Sequence, residues 1–177
     1  LSGTPEQMKV GDIGGPDSEV FYDFGEEFKF HENSKWKDEE CHPNCDCGRF
    51  LEIGNSVFIQ YKKLEDGSLE ELPQKNVDFG GGLERLVAAT EHEPDIFMTS
   101  SFKPIIDRME REILANVYDN ANRLSGARVI IDHVRAAAFL IKDGVQPSNK
   151  LQGYVVRRLL RRAAVKMTRL GKGTAFH

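Results

Sequence analysis

Residues 77–86 read Val77-Asp78-Phe79-Gly80-Gly81-Gly82-Leu83-Glu84-Arg85-Leu86, and the patterning of the chain changes at the three glycines. Before them, apolar residues alternate with a period of two. Leu51, Ile53, Asn55, Val57, Ile59 and Tyr61 share one face of a strand predicted over 50–61. Asp66-Gly67 is a hairpin signal leading to a short strand over 69–72. A further short strand over 76–79 runs into the glycines, and Phe21-Tyr22-Asp23-Phe24 is a β-prone run after the loop GDIGGPDS. Residues 26–40 are polar and aperiodic, and read as an insertion or loop. After the glycines the period is helical. Leu83, Leu86 and Val87 open a helix reaching Thr90, and Phe102, Ile105, Ile106, Met109, Ile113 and Val117 mark a second. Ile130, Val134, Ala137, Ala138 and Ile141 mark a third, ended by Asp143-Gly144 and Pro147. Val155, Leu159, Leu160, Ala163 and Met167 mark a fourth, stopped near Gly171. Strands first and helices after predict an α+β chain, with a sheet portion over 1–98 and a helical portion over 99–177.

The chain has 177 residues, 40% apolar and 29% charged, enough to bury a core, so wholesale disorder is excluded. No apolar run is long enough to span a membrane. The opening LSGTPEQMKV has no secretory pattern, and a reducing cytoplasm is the expected location. The chain also begins without Met, and it reads as a piece of a longer protein. The net charge of −4 conceals an asymmetry, about −14 over the first 122 residues and about +10 over the rest. A segment this basic suits a polyanionic partner, or else forms a solvated helical face.

The glycine turn has chemical possibilities of its own. Glycines let a ligand approach the backbone, and a helix start offers N–H groups and a positive dipole end to phosphate. Arg85 adds a planar fork of donors for phosphate oxygens, and Asp78 could hold an ammonium group. Alternatively the glycines only join two elements and Arg85 makes a surface ion pair. Cys41, Cys45 and Cys47 crowd into seven residues, an odd set unsuited to a disulfide framework. With an imidazole they suffice for tetrahedral zinc. Adjacent Cys41 and His42 are awkward joint ligands, so His31 is the candidate fourth; the alternative is a loop of free thiols.

The order of residues is more specific. GGGLER after a short strand resembles motif 3 of the class II aminoacyl-tRNA synthetases. FLEIGNSVFIQY, DGSLEELPQKNVDFGGGLERL, ARVIIDHVRAAAFLIKDGVQPSNKLQGYVVRRLLRRA and GGPDSEVFYDFG together resemble the alanyl-tRNA synthetase family, from about Gly11 to Leu170. The resemblance implies part of a class II antiparallel sheet followed by an α-helical domain that grips the tRNA acceptor stem. It implies that Asn55 and Val57 line the alanine pocket, that Asp78 holds the substrate ammonium and that Gly80 lies against the substrate. Gly80, Gly82 and Arg85 are then the ATP-binding residues, with Asp78 and Arg85 the catalytic ones. Asn55 read by itself is equally a hydrogen-bonded strand residue.

The implied activity is ATP-dependent ligation of alanine to its tRNA through alanyl-adenylate, with Mg²⁺ accompanying ATP. Small-residue pockets of this kind need editing, and no editing segment is visible. Arg157, Arg158, Arg161 and Arg162 form two i,i+4 pairs suited to the acceptor-stem backbone. Asn149, in the PSN segment, belongs by resemblance to the region that reads the stem's G·U pair; otherwise it is a turn or cap residue. The sequence departs from the family where relatives carry GPCGPC, since the matching stretch here is GDIGGPDSE, and a pocket tryptophan is not evident. Motifs 1 and 2 are not seen, so the chain taken alone is expected to make little or no alanyl-adenylate. The alternative function is a non-catalytic RNA-binding module derived from the synthetase.

Overall fold

The computed structural model of the chain describes residues 4–113 and 116–170. The chain divides into two compact units, Leu1–Thr99 and Ser100–His177. The first holds strands β1 (Ile13–Gly14), β2 (Asp17–Asp23), β3 (Phe50–Lys63) and β4 (Leu69–Gly81), then helix α1 (Leu83–Glu91). The second holds helices α2 (Lys103–Glu112), α3 (Ala121–Lys142) and α4 (Leu151–Arg169). The α+β expectation is met by this antiparallel sheet and these helices.

Strand β3 is the axis of the sheet. It pairs antiparallel with β4 along one edge and with β1 and β2 along the other. The passage from β1 to β2 is pressed against β3. The Phe58 N–H donates to the Pro16 carbonyl at 2.9 Å, and a Cβ on Gly15 would lie 1.8 Å from the Phe58 carbonyl oxygen. Only a residue without a side chain fits there.

Two expected short strands, over 69–72 and 76–79, are in fact one strand, β4. Its register with β3 shifts between Ile59, opposite Asn76, and Tyr61, opposite Glu71. The residues that bulge out include Pro73, which has no N–H to give to a ladder. Strand β2 begins at Asp17, earlier than the aromatic run suggested, because Asp17 and Ser18 already pair with Val57 and Ser56.

Helix α1 is fastened back to β2. The residue that caps its C-terminus, His92, is left-handed, with φ of 52°. With the proton assigned to Nε2, His92 donates to Glu27 at 3.1 Å while its Nδ1 accepts from the Tyr22 hydroxyl at 2.8 Å. The nearby Phe24 ring is almost wholly buried, 5.1 Å from Tyr22 between ring centroids.

The second unit has its own core, with Phe102, Ile106, Met109, Val117, Ile130, Ile131, Val156 and Met167 all buried. Helix α2 stops before Val117, the last residue expected on it, yet Val117 is fully buried from a separate 3-10 turn, Val117–Asp119. Helix α3 starts well before its first expected apolar position, capped by the Asn120 side chain, which accepts from the Asn122 and Arg123 N–H groups. On α4 the buried stripe is Gly153, Val156, Ala163 and Met167, and Val155 is exposed. Gly171, expected to stop this helix, lies outside the described residues.

The base of the 24–49 connection is closed by a forked ion pair. Arg49 Nε donates to Asp23 Oδ1 at 2.7 Å and Nη2 donates to Oδ2 at 2.8 Å, while the Phe24 N–H donates to the Arg49 carbonyl at 3.0 Å. The Arg49 guanidinium, and then the Gly25 N–H, hold the Asp23 carboxyl below its ordinary value of 3.8.

Three outcomes follow for stability. Gly15→Ala should lower the free energy of unfolding by about 1–3 kcal/mol through overpacking. Gly80→Ala, where an added Cβ meets nothing within 4 Å, should stay within about 1 kcal/mol of the parent in the same denaturant titration. Because the folded Asp23 value is depressed, its contribution is present above pH 3.8 and lost as pH falls through the folded value. Stability profiles of the parent and Asp23→Asn should therefore converge at the acid end, the variant showing the shallower loss.

Candidate functional site

The register of β3 with β4 assembles four of the expected residues. Asn55 lies opposite Gly80 and Val57 opposite Asp78. Directly opposed residues of an antiparallel pair project to the same face, so the four form one two-by-two patch. On the other side of β3, Glu19 is opposite Asn55 and Asp17 opposite Val57. The patch therefore extends into two rows, Glu19-Asn55-Gly80 and Asp17-Val57-Asp78. Sequence reasoning missed Asp17 and Glu19. Asp17 belongs to the stretch GDIGGPDS expected to form a loop, and only pairing with β3 brings either residue beside the patch.

The glycines divide the work of the two faces. A Cβ on Gly54 would lie 2.9 Å from the Phe79 ring, and one on Gly81 would lie 3.1 Å from it. Phe79, opposite Ser56, thus lies over Gly54 and Gly81 on the face away from Asn55. Gly80 points the other way, where a Cβ would meet open space. Asp78 and Gly80 are exposed on that face, and Asn55 between β2 and β4 is half-buried.

Arg85 is one turn into α1, after Gly82 at the N-terminal cap position. Its Nη1 donates to the Glu52 carbonyl at 3.0 Å and to Glu52 Oε2 at 3.2 Å. The register of β3 shifts at Ile53, with Gly54 opposite Val20 and Glu52 opposite Phe21, so Arg85 is held at Glu52, three residues along β3 from Asn55. The ion-pair alternative for Arg85 is thus what the structure contains. Both partners are more than a third exposed, and such pairs are weak enough for a phosphate to displace.

The second unit carries a basic groove of about 530 Å³ on α4 and Val129 of α3. Arg157, Arg158, Arg161 and Arg162 line it, and Lys166 and Arg169 extend the same helix face. Among the described residues no ion pair engages the four expected arginines. Tyr154 lies beneath two of them, 5.9 Å from Arg157 and 5.8 Å from Arg158. Asn149 is drawn to the same place, because Arg157 Nη1 donates to Asn149 Oδ1. The cap-like backbone bonding at the start of α4 is made by the neighbouring Ser148, whose hydroxyl bonds Lys150. Tyr154 and Lys166 were not singled out by sequence; their signal is the spacing of 154, 158, 162 and 166 along one helix face.

Cys45 and Cys47 also meet His31, and Cys41 meets Cys47. Cys41 Sγ and Cys47 Sγ are 4.0 Å apart, and Cys45 Sγ is 3.6 Å from His31 Nδ1. The ligand atoms of His31, Cys45 and Cys47 all lie within 4.8 Å of one another. Burial pushes the Cys47 thiol up, but the Arg49 N–H and the His31, Cys45 and Cys41 side chains outweigh it and hold it below its ordinary value. His42 is turned to other use, its Nδ1 accepting from the Asn44 N–H at 3.2 Å.

Comparison with known proteins bears on these sites. The family model of tRNA synthetases class II (A) matches residues 6–177. An alanine–tRNA ligase of Petrotoga mobilis is 46% identical over 149 residues, covering 84% of this chain and 16% of that protein. An alanine–tRNA ligase of Pediococcus pentosaceus is 44% identical over 169 residues, covering 93% and 19%. One of Ligilactobacillus salivarius is 43% identical over 170 residues, with the same coverage of 93% and 19%. The chain therefore spans under a fifth of the length of these relatives. No helix among the described residues is long and apolar enough to cross a membrane.

Proposed function

Because this chain belongs to the tRNA synthetases class II (A), we propose that it carries the amino-acid-binding part of an alanine–tRNA ligase and a surface for the tRNA acceptor stem. The single observation that carries this is the cross-strand patch, Asn55 opposite Gly80 and Val57 opposite Asp78. It offers a carboxylate for an α-ammonium, an amide for hydrogen bonding, a small apolar side chain and a residue with no side chain at all. That is a set suited to a small amino acid such as alanine.

In this reading Asp78 holds the ammonium, and Asn55, Val57 and Gly80 shape the pocket. Arg85 leaves Glu52 for the phosphates of ATP, with Gly80 and Gly82 allowing the nucleotide close to the backbone. The alanine carboxylate oxygen bonds to the α-phosphorus, and the bond from that phosphorus to pyrophosphate breaks. A ribose hydroxyl of the tRNA's terminal adenosine then attacks the alanyl carbonyl, and AMP leaves. The protein's part is to position and to neutralise charge rather than to move protons. Mg²⁺ takes oxygen ligands, and the carboxylates of Asp17 and Glu19 beside the patch fit that requirement. When bound, it would neutralise phosphate charge. The Zn²⁺ expected at Cys41, Cys45 and Cys47 stands outside this chemistry.

The groove of α4 supports the tRNA part of the proposal. Arg157, Arg158, Arg161 and Arg162 supply phosphate donors, and the Arg157–Asn149 pair sets an amide at the edge of the basic surface for the G·U pair. A second reading, an RNA-binding module without catalysis, is favoured by one fact. The residues that line the groove all belong to the second unit.

In the full-length protein, Asp78→Asn and Arg85→Ala should each lower alanine-dependent ATP–pyrophosphate exchange by about 10²–10³-fold. Gly80→Ala should raise the KM for alanine with an unchanged melting curve. Exchange unaffected by Asp78→Asn overturns the proposal for the patch. For the groove, binding of an alanine acceptor-stem minihelix is measured at several salt concentrations. Each arginine-to-alanine change should flatten the salt slope by about one. Asn149→Ala should abolish preference for the G·U stem while leaving that slope unchanged. Minihelix binding without any exchange activity would favour the second reading.

A further inference from the structure

The connection between β2 and β3, residues 24–49, contains turns but no strand or helix. At 26 residues it is far longer than connections that hold together without structure of their own. Its aromatic residues lie toward its start, where Phe28 stacks on Phe30 at 5.3 Å and 10° between planes. Its second half, 38–47, is charged or polar apart from Pro43 and the three cysteines. Hydrophobic burial therefore gives this half little to fold around.

We infer that His31 Nδ1 and the sulfurs of Cys41, Cys45 and Cys47 form a closed four-ligand site for a Zn²⁺ ion, which serves as the core of this connection. His31, Cys45 and Cys47 already stand within 4.8 Å of one another, Cys41 joins them through Cys47, and two of the separations match a coordination tetrahedron. With Zn–S near 2.3 Å and Zn–N near 2.0–2.1 Å, two sulfurs stand about 3.8 Å apart and a sulfur and a nitrogen about 3.6 Å apart. The structure has 4.0 Å between the Cys41 and Cys47 sulfurs and 3.6 Å between Cys45 Sγ and His31 Nδ1. A disulfide would need about 2.05 Å between sulfurs. The imidazole is already set for a metal. His31 Nε2 donates to the Glu39 carbonyl at 3.0 Å, which leaves the lone pair on Nδ1, the nitrogen that faces the cysteines.

Four protein ligands with no open position make a structural site rather than a hydrolytic one. Binding exchanges three thiol protons for one Zn²⁺, with no change of oxidation state. The ligands come from two stretches, residue 31 and residues 41–47, so the ion ties the two halves of the connection together. Cys47 lies two residues before Arg49, whose pair with Asp23 closes the connection at its base. The ion and the ion pair thus fix the loop where β3 begins, on the strand that carries Asn55 and Val57.

The test is the metal content of the full-length protein, with readouts that involve neither ATP nor tRNA. Elemental analysis of the parent, His31→Ala, Cys41→Ser, Cys45→Ser and Cys47→Ser should show each variant one equivalent of zinc below the parent, with His42→Ala unchanged. A second measurement guards against misfolded variants. The parent, stripped with chelator and refilled with Co²⁺, should show strong thiolate-to-cobalt absorption and the visible bands of tetrahedral cobalt, and Zn²⁺ should abolish both. In Cys45→Ser refilled with excess Co²⁺ the thiolate absorption should be at most about two-thirds of the parent's, the share of the sulfurs that remain. Equal zinc content in parent and variants, or a parent spectrum unchanged by these substitutions, overturns the inference. Either result leaves the amino-acid patch and the arginine groove untouched.

Discussion

The hydrogen bonding of β3 on both of its edges is the constraint on which the first unit depends. A single 14-residue strand gives its partners to β1, β2 and β4, so one register fixes three sets of neighbours at once. The side-chain period of a strand is two, and a slip of one residue would turn Asn55 and Val57 to the face now held by Phe79. Gly15, Gly54 and Gly81 prevent such slips by shape. Each sits where a side chain would collide with the Phe58 carbonyl or the Phe79 ring. The same packing that excludes a side chain at those positions leaves Gly80 open on the other face.

The two units divide the charge between them. Beside the patch stand Asp17, Glu19 and Asp78, a surface suited to an ammonium group or a hydrated cation. On α4 the arginines are unneutralised among the described residues, a surface suited to phosphate. Arg85 is intermediate, a cation paired with Glu52 near the start of β3. An exposed pair of this kind contributes little to stability, and its partner can be exchanged at small cost. Tyr154 adds a rigid aromatic surface under Arg157 and Arg158, which limits the freedom those long side chains must lose on meeting a ligand.

The 24–49 connection obeys a different logic from the rest of the chain. Elsewhere the elements close over apolar side chains, as around Ala88 in the first unit and Ile106, Val117 and Val156 in the second. The cysteine half of the connection has no such residues, and its order comes from polar turns, the Asp23–Arg49 fork and the convergence of His31 with Cys45 and Cys47, which Cys41 joins through Cys47. Convergence of four soft or borderline donors is the arrangement by which small loop-rich segments replace a hydrophobic core.

Much of this was legible in the sequence, and the boundary is a physical one. The change from period two to period 3.6 at Gly80-Gly81-Gly82 follows from local geometry, so the α+β class, strand β3 and the helix after the glycines could be read directly. Local chemistry likewise marked Asp78, Arg85, the α4 arginines and the cysteines as candidates. What one stretch of chain does to another could not be read there. The union of two expected strands into β4 depends on a bulge opposite Gln60, and the burial of Val117 from a separate turn depends on the packing of its unit. Asp17 and Glu19 join the patch only through their register with β3, and Asn149 reaches Arg157 only because the 145–150 segment folds back over Gly153. Residue type and spacing set the local conformation and the chemistry available. Register and packing, which depend on atoms far apart in sequence, decided which of those groups stand within reach of one another.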